Sequence, residues 1–351
     1  PETASLFFGE SLSTSQLFDL SQDARIEALS NAKDFAALPV ACDALEKSVR
    51  DLRLAFKREG RMAAQATESI REFGPALKVL GDRLDKLAGL LEQQAERSEG
   101  LENCHQRAQA LAGQLKHWQE GDVPETVRWL EVFHHSLQLN TTPLSIADIF
   151  AKQLAGHPRA WIFTSATLAV KGNFAHYQHE MGLTEARTAC WDSPFNYAEQ
   201  ALLYVPDGLP EPNTEGYTDA VVRAALPLIE ASRGRAFLLF TSLRAMQRAQ
   251  ELLQAEFDRC GWKYPLMMQG EGSRNELLAR FREHGNAVLL GSQSFWEGVD
   301  VRGEALSLVV IDKLPFAPPD DPVLAARIAE MNKQGRNAFM EFQLPRAIIN
   351  L

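Results

Sequence analysis

Gly291-Ser-Gln-Ser-Phe-Trp-Glu-Gly-Val-Asp-Val-Arg-Gly-Glu-Ala-Leu-Ser-Leu308 is the stretch on which the reading of the fold turns. It lies between two apolar runs, Ala287 to Leu290 and Leu306 to Ile311, each short and aliphatic enough for a buried strand of a parallel sheet. Gly291, Gly298 and Gly303 permit close backbone approach. Ser292, Gln293 and Ser294 supply donors, Phe295 and Trp296 flat apolar faces, and Glu297, Asp300 and Arg302 charge. Ligands of open α/β sheets collect at the carboxyl ends of strands, which is where Val288-Leu289-Leu290 delivers this loop. Taken alone, the stretch equally fits an ordinary connection in which the glycines are turns and Trp296 covers a core.

Working outward, strands are expected at Ala201 to Val205, Ala236 to Phe240, Tyr264 to Met268 and Ala287 to Leu290. Helices from Thr218 to Ser232, from Leu243 to Arg259 and from a Ser273 cap separate them. This alternation predicts βαβ units and a parallel sheet covered on both faces. Upstream, Thr126 to Val132 and Ser136 to Thr141 read as strands joined by a turn at His134 and His135. Ser145 starts a helix, and Trp161-Ile162-Phe163 reads as a buried strand ending in Thr164-Ser165-Ala166-Thr167. Asp320 or Asp321 with Pro322 opens a further helix.

Residues 1 to 120 are expected to be all helical, because Leu17, Leu20, Ile26 and Leu29, then Leu77, Leu80, Leu84, Leu87, Leu90 and Leu91, recur at spacings of three and four. Ser11 or Ser13 caps the first helix. Within this part Lys47, Arg50, Arg53, Lys57, Arg58 and Arg61 fit two readings, a face that follows a phosphate backbone or a solvated surface.

The chain has 351 residues, 45% of them hydrophobic, enough for two or three cores. No apolar run approaches the ~20 residues of a membrane span, so a cytoplasmic protein is expected. With 36 basic and 46 acidic residues the net charge is -10, the opposite of a domain that coats nucleic acid. A polyanion partner would therefore be held by local patches and backbone amides. Cys42, Cys104, Cys190 and Cys260 are too far apart for local metal or redox spacing, and no metal site is expected.

Four strand ends carry polar groups: Thr164-Ser165-Ala166-Thr167, Thr241-Ser242, Gln269-Gly270-Glu271 and the loop after Leu290. In this order they resemble the strand-end motifs of superfamily 2 helicases. Thr164 to Leu168 is similar to motif III, Phe237 to Ser242 to motif IV, Gln269-Gly270 to the small motif after it, and Ser294 to Asp300 to motif V. With Asp192-Ser193-Pro194-Phe195 and Asp312-Lys313-Leu314-Pro315-Phe316 they resemble the XPD/DinG (Rad3-like) branch, its YoaA-like members in particular. The resemblance runs over residues 120 to 351 and is positional over the first third.

It implies an α/β fold of RecA-like motor domains with an inserted all-helical, Arch-like domain. Residues 1–120 would be the Arch-like part, 121–195 the end of the first motor domain and 196–351 most of the second. The implied activity is ATP-dependent 5′ to 3′ translocation on single-stranded or forked DNA with unwinding, in repair or replication, by a monomer with replication or repair proteins as possible partners. ATP and magnesium are the implied cofactors, with an iron-sulfur cluster in the full-length protein whose ligands are not in this chain. Ser165 and Thr167 would couple nucleotide state to DNA grip. Glu297, Gly298 and Asp300 would face ATP. Thr241, Ser242, Gln269, Gly270, Ser294, Phe295, Trp296 and Arg302 would face DNA, with anchoring of the loop open for Phe295 or Trp296 and an ion pair to Asp300 or Glu304 open for Arg302. The sequence holds no Gly-x-x-x-x-Gly-Lys-Ser/Thr and no Asp-Glu-Ala-His. A fragment that is inactive by itself is the corresponding expectation, with a non-catalytic nucleic-acid or protein interaction module as the alternative.

Overall fold

The computed structural model describes residues 8–121, 125–156, 159–212, 214–292, 295–296, 299–318 and 320–351. Two compact units share the chain: one runs to Phe163 and includes Ala175–Ala186 and Ala317–Glu341, the other holds Thr164–Phe174, Arg187–Phe316 and Phe342–Leu351.

In the first unit, strands β1 (Glu10–Ser13), β2 (Gly60–Ala63), β3 (Thr126–Val132) and β4 (Leu137–Pro143) form an antiparallel sheet in the order β1-β4-β3-β2. Helices α1 (Thr14–Asn31), α2 (Ala37–Leu54), α3 (Phe73–Glu92) and α4 (Glu99–Gln119) share one core with it. Ser13 closes a capping box with Gln16, and Ser98 caps α4 by accepting from the Leu101 amide. Leu17, Leu20, Leu80, Leu84, Leu87 and Leu91 are fully buried against Leu130, Val132, Leu137 and Leu139 of the β3–β4 hairpin. The stretch expected to be all helical thus also contributes β1 and β2, each four residues long and too short to show a period of two. Ile26 and Leu29, counted in the apolar pattern, are instead exposed. α5 (Ala147–Ala155) and α6 (Ala175–Met181) complete the helices of this unit up to residue 186.

The basic run is not one helical face, because α2 stops at Leu54. Arg53 donates to the carbonyls of Phe56, Phe133 and His134, bracing the hairpin turn. Arg50 pairs with Glu46, while Arg61 lies over the Trp129 ring and pairs with Glu131 and Asp321.

The second unit is built on a parallel sheet, β5 (Ala236–Leu239), β6 (Leu266–Met268), β7 (Val288–Gly291) and β8 (Leu308–Ile311), in the order β6-β7-β5-β8. α7 (Tyr217–Ala231) and α8 (Leu243–Cys260) cover one face through Ile229, Leu253 and Phe257 against Leu238 and Leu290. α9 (Arg274–His284) covers the other through Leu277 and Phe281 against Phe237, Leu239 and Leu289. Ser242 caps α8, and Ser273 forms a capping box with Glu276 at α9.

Past β8 the chain rejoins the first unit with α10 (Pro322–Lys333), whose N-cap Asp321 accepts from the Val323 and Leu324 amides. α10 packs on β2 and β3, and Arg327 pairs with Glu180 of α6 at 3.2 Å. A π-helical turn (Phe339–Gln343) leads to α11 (Leu344–Asn350).

Two expected strands do not form. Trp161-Ile162-Phe163 has no ladder and Ile162 is 84% exposed. Ala201 to Val205 is likewise unpaired, with Leu202 93% and Leu203 88% exposed. A strand exists only as a member of a ladder, and among the described residues neither segment joins one.

Arg327 and Glu180 are both largely buried, with side-chain exposures of 9% and 18%. Replacing Arg327 by Met leaves Glu180 without its charge partner, a loss expected at about 3 kcal/mol. Urea denaturation followed by tryptophan fluorescence checks it. Arg327→Met with Glu180→Leu should recover most of the loss, and a double variant no better than the single one contradicts the pairing.

Candidate functional site at the carboxyl edge of the parallel sheet

The register brings three strand ends level, Leu239 lying opposite Gly291 on one side and Ile311 on the other, and the fourth one residue short, Met268 lying opposite Leu290. The loops that leave them therefore emerge along one edge, carrying Thr241-Ser242, Gln269-Gly270, Ser292 and Asp312-Lys313.

The edge is tied together by its own polar groups. The Gln269 carboxamide oxygen accepts from the Ser292 amide at 2.8 Å and from the Ser292 hydroxyl at 2.9 Å, which leaves the Gln269 NH2 group to face outward partners. Gly270 follows at φ +104°, a conformation that a side chain would strain. The Thr241 amide donates to Oδ1 of Asp312 at 3.1 Å, and the Tyr217 hydroxyl donates to the Asp312 carbonyl. The Ser242 hydroxyl oxygen accepts from the Ala245 amide as the helix cap, so part of its capacity is spent locally. Sequence reasoning counted Ser292 among the loop's donors and Asp312 within a family motif, but foresaw neither contact; a Ser after a strand and an Asp before a Lys carry no spacing signal for them.

Phe295 is 3% exposed and belongs to the core between the sheet and α9. Of its two expected roles the structure supports the anchor, because a buried ring offers no face to a base. Its backbone amide donates to the Ser292 carbonyl, and the close approach explains Gly291: a Cβ there would stand 2.8 Å from Phe295 Cβ. Trp296 packs half-buried beside it, its indole N–H buried and without an acceptor among the described residues. The Asp300 carbonyl accepts from Arg282 of α9 at 2.5 Å, which pins the far side of the loop. Arg302 pairs with Asp300 at 3.0 Å, with side chains 91% and 71% exposed, so the pair contributes little to stability. Ser294, Glu297 and Gly298 lie outside the described residues, as does Gln293.

Ser165 and Thr167 form a local turn: the Thr167 amide donates to Ser165 Oγ at 3.2 Å, and the two hydroxyls are 3.1 Å apart. Both are exposed.

Burial raises the Asp312 carboxyl above its ordinary 3.8, against the opposing pull of Lys313 and of two backbone amides. Burial pushes the Cys42 thiol up to about 11 and raises Cys104 as well, so both are inert core thiols. Among the described residues no cluster of His, Cys, Asp or Glu is arranged to hold a metal ion. No helix among them is long and apolar enough to cross a membrane. What the edge offers to a ligand is a row of hydroxyls and amides, suited to phosphate oxygens.

Residues 225–351 match the Helicase C-terminal domain family. The whole chain is 39% identical over 353 residues to the ATP-dependent DNA helicase YoaA of Haemophilus influenzae, of which it covers 54%. It is 39% identical over 352 residues to the protein of the same name from Escherichia coli K12, of which it covers 55%. The chain thus spans about half the length of the curated relatives it matches. Among solved structures, S. tokodaii Xpd4 is similar in fold, with a TM-score of 0.51 and 12% identity over 99% of this chain and 64% of that one. These matches and the parallel sheet define a helicase motor fold, consistent with a RecA-like domain. By these matches the chain resembles helicases of the XPD/DinG branch and is YoaA-like.

Gly291→Ala is expected to displace Phe295 and destabilise the second unit by about 1 to 3 kcal/mol, measured as a shift in urea midpoint. For Asp312 the sign follows from its raised value: the folded state favours the neutral acid, so this contribution is complete below pH 3.8 and is lost as pH climbs through the raised value. Asp312→Asn keeps an oxygen for the Thr241 amide and removes the ionisation. Its midpoint should equal or exceed that of the unsubstituted chain at pH 7, with the gap closing toward pH 4; a gap that widens on acidification contradicts this.

Proposed function

We propose that this chain is part of an ATP-dependent DNA helicase that translocates 5′ to 3′ on single-stranded DNA and unwinds duplexes during repair or replication. The observation that carries the reading is the row of hydroxyl and amide groups along one sheet edge, in a chain with the family's strand-end motifs in order. Thr241, Ser242, Gln269 and Gly270 hold phosphates of the strand, joined by Ser294. Trp296 offers a face to a base, and Arg302, paired with Asp300 at the exposed surface, can exchange that partner for a phosphate. Glu297, Gly298 and Asp300 approach ATP from the second motor domain, with Asp300 accepting from a ribose hydroxyl. Ser165 and Thr167 couple the two ligands.

In domain terms, residues 1–120 correspond to an Arch-like domain, 121–195 to the end of the first RecA-like domain and 196–351 to the second. The exposed β formers at Trp161 to Phe163 support the first motor assignment, since they suit a strand of a sheet that has further members. ATP would bring its magnesium; the iron-sulfur cluster belongs to the longer protein. Single-stranded or forked DNA is the partner, with replication or repair proteins as further partners, and a cytoplasmic, nucleoid-associated monomer fits this use.

Fluorescence anisotropy with a labelled oligothymidylate and a coupled ATPase assay test the reading together. The 351-residue chain should bind the oligomer with a dissociation constant on the order of micromolar, weakening steeply with salt, and turn over no ATP. Trp296→Ala should weaken binding about tenfold. DNA-stimulated ATP hydrolysis by this chain contradicts the division of the active site. Tight protein binding through residues 1–120, with no DNA affinity and no effect of Trp296→Ala, favours the interaction module instead.

A further inference from the structure

Asp312 is a carboxylate where packing asks for none. It sits at the end of β8, 7% exposed, and burial opposes its charge. What surrounds it explains what it does. The Asp312 amide donates to the Leu239 carbonyl, extending the β5–β8 ladder by one rung, and the Phe240 amide donates to Gly291 on the other side. Thr241 is thus the first residue of β5 to leave the ladder, and its amide would be unmet without an acceptor at this spot. The Asp312 carboxylate supplies it at 3.1 Å. Asp312 is itself held from behind, because its carbonyl accepts from the Tyr217 hydroxyl while Lys313 Nζ lies 5.9 Å from the Tyr217 ring centre.

We propose that Asp312 is a positioning residue for nucleic-acid binding, fixing the Thr241–Ser242 turn so that the two hydroxyls face a phosphate of the bound strand. The inference rests on the DNA reading above. It has a specific corollary: with its amide given to Asp312, Thr241 meets phosphate through its hydroxyl. Lys313, next along the chain, offsets the negative charge that would otherwise stand behind an anion site. A merely structural Asp312 would support the sheet edge without setting the orientation of Thr241.

The test is oligothymidylate anisotropy on the 351-residue chain and its variants, with thermal melts alongside. Asp312→Ala is expected to bind about tenfold more weakly, Asp312→Asn to bind within about twofold of the parent because it retains the acceptor. In a Thr241→Val background, Asp312→Ala should cost less than about twofold more, because the hydroxyl it orients is already gone. If Asp312→Ala does not fold, Asp312→Glu moves the carboxylate by one methylene and should lose about fivefold in affinity with an unchanged melt. Equal affinities for the parent and the Ala or Glu variants overturn the inference, as does a full additive loss in the Thr241→Val background. No binding by the parent chain is a different result: it overturns the DNA reading, and the inference falls with it.

Discussion

β5 is hydrogen-bonded on both sides, and the arrangement of the candidate site depends on that. Because it runs parallel to β7 and β8 with its last residue opposite theirs, three strand ends stop together and the adjacent β6 stops one rung short. Parallel pairing gives every loop at this edge the same chain polarity, so each delivers its polar residues just after a carboxyl end. The apolar content of the strands then fixes the layer: Leu238 and Phe237 alternate to opposite faces and are buried by α8 and α9 respectively. Polar residues that would be expensive between these layers are tolerated where the layers end.

The loop from Gly291 onward shows how such an edge is made firm. Phe295 enters the core below the loop, Arg282 holds the Asp300 carbonyl, and Gln269 holds Ser292 from the neighbouring strand end. Two of these anchors come from other elements, so the loop conformation is set by the surrounding unit as well as by its own sequence. Exposed groups such as Arg302 are left to their surroundings.

Much of this was legible in the sequence because burial writes periodic signals. The runs Ala236 to Phe240 and Ala287 to Leu290, the caps Ser242 and Ser273, and the alternation of β3 appear in the structure within a residue or two of their expected places. What the sequence did not show depends on partners. Trp161 to Phe163 and Ala201 to Val205 have strand composition, but composition cannot say whether a neighbouring strand is present. β1 and β2 were hidden by their length, and the roles of Gln269 and Asp312 lie in contacts with Ser292 and Thr241, which are far away in the chain. The basic run around Arg53 misled for the same reason: a cation's use is set by the carbonyls and carboxylates that reach it.

The return of α10 to the first unit also sets an order of events during synthesis. A polypeptide emerges from its N-terminus at roughly 5 to 20 residues per second, so residues 317–341 appear on the order of ten seconds after residue 186. Through that interval the surface of β2 and β3 that α10 will cover, and Glu180 that Arg327 will neutralise, stand open while the whole parallel sheet is being made. The parallel sheet of the second unit can thus close before the first unit has all its parts, which departs from the usual N-to-C sequence of domain folding on the ribosome.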